Sequence, residues 1–157
     1  MKWLDGSEVA PEKFTGESLC EKLAMEMYDH DEEKWSDCDD AIYNVLLIMD
    51  FDAVYTMEGF PTPYFGYFTV DKYRKMIDAF RAIGDEDDAE VLSQALKLDE
   101  HYSQILADCH NDEVYEEFSD RLSELESSLY MNNDFDMWGL VYRYLDSYIE
   151  EQASQLH

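Results

Sequence analysis

Carboxylate side chains dominate this sequence and restrict what it can fold into. The 157 residues include 38 Asp and Glu but only 11 Lys and Arg, which gives a formal net charge of −27. A small domain stays soluble with a net charge of roughly 2–8 in magnitude, and a larger excess destabilises the compact state by self-repulsion. We therefore expect an acidic exterior, whose field suits a basic surface on another molecule.

Enough apolar side chains remain to build a core. Hydrophobic residues make up 46% of the chain and aromatic residues 15%, whereas acidic disordered chains are poor in both. A chain of this length can bury one core. The sequence predicts a single folded domain over residues 1–157, with residues 1–16 as an irregular N-terminal segment.

The apolar residues recur at helical spacing along nearly the whole chain, and no strand-like alternation competes with this pattern. The sequence therefore predicts an all-α fold of about six helices. The predicted helices run from an N-cap at Ser18 into the polar stretch 29–40, over about 40–57, after Asp71 as far as Ile83, from Asp85 through Leu106, over 111–130, and from Asp134 to about Gln152.

Glycine and proline mark the breaks between these helices. Residues 59–66 contain two of each, which cannot continue a helix, and their aromatic side chains are expected to fold back as a packed loop. Gly84 is expected to end the third helix, since glycine adopts the left-handed conformation common after a helix C-terminus.

One side of the predicted helix at 111–130 carries a row of carboxylates and no basic residue. At 100° per residue they fall within about 100° of arc, away from the apolar residues. Side chains three or four residues apart lie about 5–6 Å apart, so the row resembles the regular charges of duplex DNA, at one per 1.7 Å of axis. These residues are Glu113, Glu116, Glu117, Asp120 and Glu124.

A second carboxylate cluster opens the predicted helix that follows Gly84. It consists of Asp85, Glu86, Asp87 and Asp88, and we include it in the predicted partner-binding surface. Two simpler explanations exist: a charged run is ordinarily the solvated side of a helix, and carboxylates at a helix N-terminus are favoured by its dipole. Neither explains the imbalance of the whole chain.

The basic residues cluster on the predicted third helix, which contains Lys72, Arg74, Lys75 and Arg81. Ordinary surface ion pairs, each contributing about 0–1 kcal/mol, explain this cluster most simply. Contact with a second copy of the chain, in a homodimer, is the alternative.

Enzyme and cofactor motifs do not emerge from the sequence. There is no G-x-S-x-G, P-loop or G-x-G-x-x-G pattern, and the four histidines, including His157, form no zinc-binding spacing. The stretch 29–40 has oxygen ligands at several positions of a calcium loop, but Lys34 occupies the position that needs glycine. We therefore predict a non-enzymatic protein with no cofactor and no metal.

The sequence also limits the expected location and partners. No apolar stretch approaches the roughly 18 residues of a membrane span, and the first residues do not resemble a signal peptide. The three cysteines are widely separated, which is typical of reduced thiols in a cytoplasm. Nucleic acids and anionic membranes are bound through Lys and Arg, so direct binding to either is disfavoured.

Packing residues in the middle and last parts of the chain form a recognisable pattern. They are Gly59, Phe60, Tyr64 and Phe65, then Ile83 and Gly84, then Ala89, Leu92 and Ala95, and finally Trp138, Leu145, Tyr148 and Ile149. With these residues, the region from about Asp37 to Glu150 resembles the DMP-type DNA-mimic protein family. The resemblance implies a small, acidic, all-helical bacterial protein that forms a dimer and occupies the DNA-binding surface of a transcriptional repressor.

Charge and resemblance together favour a DNA mimic, which presents rows of carboxylates to a DNA-binding protein such as a transcription factor. The alternative is an acidic adaptor or immunity-type protein that binds its partner through an aromatic surface. Neutralising the carboxylates of the 111–130 helix distinguishes the two, because only the mimic requires them.

Overall fold

A computed structural model describes residues 1–132 and 136–155 and confirms the all-α class. Within these residues there are six α-helices and no named strand, and an isolated antiparallel bridge joins Lys2 and Glu8. The predicted helix start at Asp134 and the histidine at 157 lie outside the described residues. The helices are α1 Gly16–Glu26, α2 Asp40–Glu58, α3 Val70–Ala82, α4 Glu86–Asp108, α5 Asp112–Ser127 and α6 Met137–Gln155.

The described residues divide into two compact units, and the single domain over residues 1–157 stays a prediction. The described residues of 1–50 and 136–157 form the first unit, and those of 51–135 form the second. Helix α2 contributes residues to both. Its residues 45–51 are buried without interruption, as expected for a helix that is apolar on every side.

In the first unit, α1 packs against α6. Thr15 is the N-cap of α1 and forms a capping box with Ser18, so the predicted N-cap Ser18 is instead the third helical residue. The contact with α6 is close because residue 16 is glycine: its N–H donates to Asp146 at 2.6 Å, and a Cβ there would collide with the carbonyl oxygen of Tyr142. The start of α1 is thus fixed by its own capping box and by its contact with α6.

The polar stretch 29–40 is more structured than the sequence suggests. It contains a 3-10 helix, Glu32–Asp37, in which the side chain of Trp35 is buried and donates from Nε1 to the carbonyl oxygen of Met27 at 3.0 Å. The burial of one aromatic side chain therefore ties this acidic connection to the first unit.

In the second unit, α4 packs against both α3 and α5. Helix α3 begins with Thr69 as its N-cap, so Asp71, predicted to cap it, is its second residue. Gly84 follows α3 with φ +92°, which confirms the predicted stop. A buried cluster joins α4 to α5 and consists of Ala95, Tyr102, Leu106, Phe118 and Leu122.

The cysteines differ in environment. Cys20 and Cys38 are buried, and burial raises the pKa of their thiols to about 11 and about 12, whereas Cys109 is exposed just after α4. None of the three forms a disulfide. Among the described helices, none combines the length and the apolar character needed to cross a bilayer.

Candidate acidic interface

Helix α5 is positioned by its cap and by its apolar side. Asn111 is the N-cap, and its side-chain oxygen accepts hydrogen bonds from the N–H groups of Glu113 at 2.9 Å and Val114 at 3.4 Å. Phe118 and Leu122 are buried on the inner side of the helix. The opposite side is therefore held towards solvent.

The five carboxylates predicted on this helix are all exposed. Glu113, Glu116, Glu117, Asp120 and Glu124 form what we call the α5 row. With a rise of 1.5 Å per residue, the row extends over ~16 Å, or about one carboxylate per 4 Å, close to the 3.4 Å per charge of one DNA strand. The helix contains seven acidic residues and one basic residue, so the row has little compensating charge.

The single basic residue of α5 lies beside the row. Arg121 donates from Nη2 to Glu117 Oε1 at 3.2 Å, and its guanidinium carbon lies 5.8 Å from the ring centroid of Tyr102. Both charged side chains are about half exposed, so the ion pair contributes less than about 1 kcal/mol. The other carboxylates of the row form no ion pair with any described residue.

The second predicted cluster is only partly displayed. Glu86 and Asp87 are exposed, but Asp85 and Asp88 are 2% and 0% exposed. These two side chains therefore do not belong to an accessible surface, and their place in the predicted partner-binding surface is corrected.

The buried pair, Asp85 and Asp88, has a structural role instead. Asp85 is the N-cap of α4, and its Oδ1 accepts from the N–H of Asp88 at 3.2 Å. Asp88 Oδ1 in turn accepts from the N–H of Tyr130 at 2.7 Å, across 42 residues of sequence. Together the two aspartates fix the first turn of α4 and hold the segment that follows α5.

The surroundings of Asp85 favour its protonated form. Burial, and then the hydrogen bond to Asp88, raise the pKa of Asp85 to about 8, so Asp85 is protonated at neutral pH. The second oxygen of each side chain is buried and receives no donor from another described group. A proton on Asp85 satisfies both oxygens, because a protonated carboxyl donates and a carboxylate accepts.

A third buried carboxylate, Asp99 of α4, anchors the loop after α2. Its Oδ2 accepts from the N–H of Tyr64 at 2.8 Å. The sequence reasoning missed this contact, although Asp99 lies only three residues from the buried Leu96 and Tyr102, on the apolar side of α4. An acidic residue at an apolar position of a helix was the available signal.

The anchored loop packs on α5, as expected, but keeps part of its aromatic surface exposed. The ring of Tyr64 meets that of Phe118 edge-on with centroids 5.6 Å apart, and Phe65 stacks on Phe118 at 6.1 Å. Tyr64 and Phe65 nevertheless remain 37% exposed, and Tyr67 46%. This loop is the aromatic surface that the alternative function requires.

The basic residues of α3 form contacts within the second unit. Arg74 pairs with Glu100 of α4 at 3.2 Å, and Arg81 lies 3.7 Å from Glu86. Lys72 is half buried with Nζ 5.0 Å from the ring centroid of Phe68, and burial lowers its pKa to about 8. Ordinary ion pairs therefore account for the two arginines, and self-association stays a prediction.

The acidic connection at 29–40 does not assemble a cation site. In residues 1–132 and 136–155, which include it, no three His, Cys, Asp or Glu side chains come close enough to hold a metal ion.

Comparison with known proteins gives one match. The model of the family described as "DMP19-like protein" matches residues 39–152, and this range agrees with the resemblance seen in the sequence. No curated protein and no solved structure matches the chain significantly. The family match includes α2 to α5 and most of α6, and thus the whole α5 row. Since it extends over well more than half of the sequence, the chain belongs to the DMP19-like protein family.

Proposed function

We propose that this protein is a DNA mimic: the α5 row binds the basic DNA-binding surface of a partner, such as a transcription factor, and competes with DNA for it. The observation that carries the proposal is the exposure of five carboxylates in one stripe on a helix whose inner side is fixed in a buried cluster. A fixed stripe presents charges in a defined geometry, which a flexible acidic tail does not.

Charge spacing supports this proposal. A DNA-binding protein contacts phosphates through Lys and Arg side chains that are arranged to match the backbone. A carboxylate every ~4 Å along α5 offers such side chains a similar sequence of contacts. The net charge of −27 adds long-range attraction, which accelerates encounter with a basic partner.

The family supports it as well. Membership of the DMP19-like family agrees with the sequence resemblance, which implies that such proteins occupy the DNA-binding surface of a repressor. We extend that role to this chain as part of the proposal.

The test uses competition and a matched variant. The immobilised protein should retain a DNA-binding protein from a bacterial lysate at low salt, and excess duplex DNA should release it. Replacing all five residues of the α5 row by Gln or Asn should reduce retention at least about tenfold, because several charge-assisted contacts are lost together.

The control removes the same charge elsewhere. Five exposed carboxylates of the first unit serve for this purpose, namely Glu12, Glu17, Glu21, Glu33 and Glu151, each changed to Gln. The control variant should retain the partner almost as well as the unmodified protein. Equal losses in both variants would show that net charge alone drives retention. A partner that excess duplex DNA fails to release would exclude the DNA-mimic function.

An adaptor that uses its aromatic loop is the second candidate, because Tyr64, Phe65 and Tyr67 are more exposed than aromatic residues of a core. This function predicts that Tyr67→Ser reduces partner binding strongly while the α5 variant has little effect. Tyr67 suits the test because its hydroxyl contacts only Glu58, at 3.1 Å and on the surface, so its removal leaves the core intact.

A further inference from the structure

Helices α4 and α5 enclose a surface groove whose lining contains no carboxylate. Its volume is about 370 Å³, and it is lined by Gln94, Lys97, Leu98 and His101 of α4 and by Arg121 and Leu125 of α5. This volume lies within the range of roughly 300–1,000 Å³ typical of sites for small molecules. A groove free of acidic side chains is unusual on a chain with 38 of them.

Cationic side chains line the groove from both helices. Lys97 and Arg121 are two of only 11 Lys and Arg residues in the chain, and His101 adds a third nitrogen-bearing side chain. Lys97 and His101 lie four residues apart on the same exposed side of α4, whereas Arg121 comes from α5. An anionic group in the groove would therefore meet donors from two directions.

The guanidinium of Arg121 is held in place before any ligand binds. It lies over the ring of Tyr102, with 5.8 Å to the centroid, and it donates one hydrogen bond to Glu117 at 3.2 Å. Arginine has five N–H donors in a planar fork, so this single bond leaves donors for a second anion. Arg121 is thus oriented, and it still has N–H donors available for a ligand.

The floor of the groove is apolar. Leu98 and Leu125 are half buried, and both pack against the buried cluster that joins α4 to α5. A ligand with an apolar body would cover their remaining exposed surface and would gain from excluding water there.

We propose that this groove binds a small organic anion with an apolar body, such as an aromatic carboxylate. Its anionic group pairs with Arg121 and Lys97, and its body lies over Leu98 and Leu125. Two carboxylates that touch the lining, Glu117 at Arg121 and Glu90 at Gln94, oppose the anion, whereas charges farther away than about 8 Å are largely screened at physiological salt. The proposal does not depend on the partner of the α5 row.

The site is also connected to the α5 row through Glu117. This carboxylate occupies part of Arg121 in the absence of a ligand, so it competes with an incoming anion. Glu117→Gln should therefore strengthen anion binding by about twofold to fivefold, since it removes both the competitor and a repelling charge. If Glu117 itself formed part of the binding site, the same substitution would weaken anion binding instead.

The probe is anilinonaphthalene sulfonate, an apolar anion whose fluorescence rises in an apolar environment, compared with phenylnaphthylamine, which lacks the sulfonate. The folded protein should bind one equivalent of the sulfonate saturably, and the neutral compound about tenfold more weakly. Equal affinity for both compounds, or no saturable signal, would overturn the proposal.

Charge variants locate the binding. Lys97→Gln and Arg121→Gln should each weaken binding by about threefold to tenfold, and Arg143→Gln should leave it unchanged. Arg143 is a suitable control because it is an exposed arginine of α6 that does not line the groove. Equal effects of all three substitutions would indicate a response to net charge and would count against the site.

Methyl NMR provides a readout that does not rely on the variants. The sulfonate should shift the methyl signals of Leu98 and Leu125 before those of other leucines. Shifts confined to leucines outside the groove would show that the probe binds elsewhere and would exclude the proposed site.

Discussion

The α5 row and the first turn of α4 are both runs of acidic residues, yet the molecule uses them in different ways. All five carboxylates of the α5 row are exposed, and only Glu117 forms an ion pair with a described residue. In the first turn of α4, Asp85 and Asp88 are buried and bind backbone N–H groups. The difference teaches that acidic residues in this chain serve two purposes, display and internal support, and that sequence density alone does not separate them.

Backbone donors explain why one run is buried and the other is not. A buried carboxylate is tolerated when hydrogen bonds replace its lost hydration. The first turn of α4 has such donors, from its own helix start and from Tyr130, and burial raises the pKa of Asp85, which favours its uncharged form. Along the α5 row the backbone N–H groups are already used, by Asn111 in the first turn and within the helix after it, so the carboxylates remain in water.

The largest expected difference between the two regions is in stability. Asp88→Ala removes the fully buried carboxyl group that accepts from the Tyr130 N–H, so it should destabilise the fold by about 2–4 kcal/mol. Asp120→Ala, in the α5 row, should change the free energy of unfolding by less than about 0.5 kcal/mol. Urea unfolding of both variants checks this, and similar values for the two would contradict the comparison.

The second largest expected difference between the two regions is in the pH dependence of stability. Because the pKa of Asp85 is raised on folding, the folded state keeps a proton that the unfolded state releases above about pH 4. This residue should therefore reduce stability progressively from about pH 4 up to about pH 8, where the folded state also loses the proton.

Asp85→Asn isolates that effect. Asparagine is also a good N-cap, and its amide can donate to Asp88 without titrating. The variant should gain about 1–3 kcal/mol relative to the unmodified protein between pH 5 and pH 8. Asp87→Asn, at the exposed neighbouring position, should show a nearly constant difference across the same range. A constant difference for Asp85→Asn as well would show that folding does not raise the pKa of Asp85.

The smallest effect concerns repulsion within the α5 row. Asp120 lies three or four residues from Glu116, Glu117 and Glu124, so Asp120→Asn should stabilise the fold by about 0.3–0.5 kcal/mol at low salt. The gain should vanish in about 1 M salt, where the Debye length is about 3 Å. Asp78→Asn should have the opposite sign, because Asp78 lies 3.8 Å from Arg81 and the pair is lost. A loss of stability in Asp120→Asn would mean that its carboxylate has a partner.

Local patterns in the sequence predicted much of this fold. Apolar spacing identified the six helices, and the stop at Gly84 followed from the chemistry of a single residue. The predicted N-caps Ser18 and Asp71 were wrong by two or three residues, because Thr15 and Thr69 cap α1 and α3 instead. The exposure of the α5 row followed from its angular separation from Phe118 and Leu122. These features depend on residues within a few positions of each other, which is the range that periodicity describes.

Long-range contacts account for what the sequence did not reveal. Asp88 is buried because it binds the N–H of Tyr130, and Asp99 because it binds the N–H of Tyr64, 35 positions away. Trp35 lies in an acidic stretch, and its burial required a carbonyl acceptor at Met27. The two aspartates bind backbone groups 42 and 35 positions away, and even the Trp35 contact spans eight positions, so helical periodicity did not contain the information.

The unequal burial of the three cysteines makes the chain convenient for site-specific chemistry. With Cys20 and Cys38 inside the first unit and their thiols protonated at neutral pH, maleimide reagents should modify Cys109 alone. That residue lies between α4 and α5, three positions before the first residue of α5. A fluorophore attached there would lie beside the N-terminal end of the α5 row and would report binding at that row without any engineered mutation.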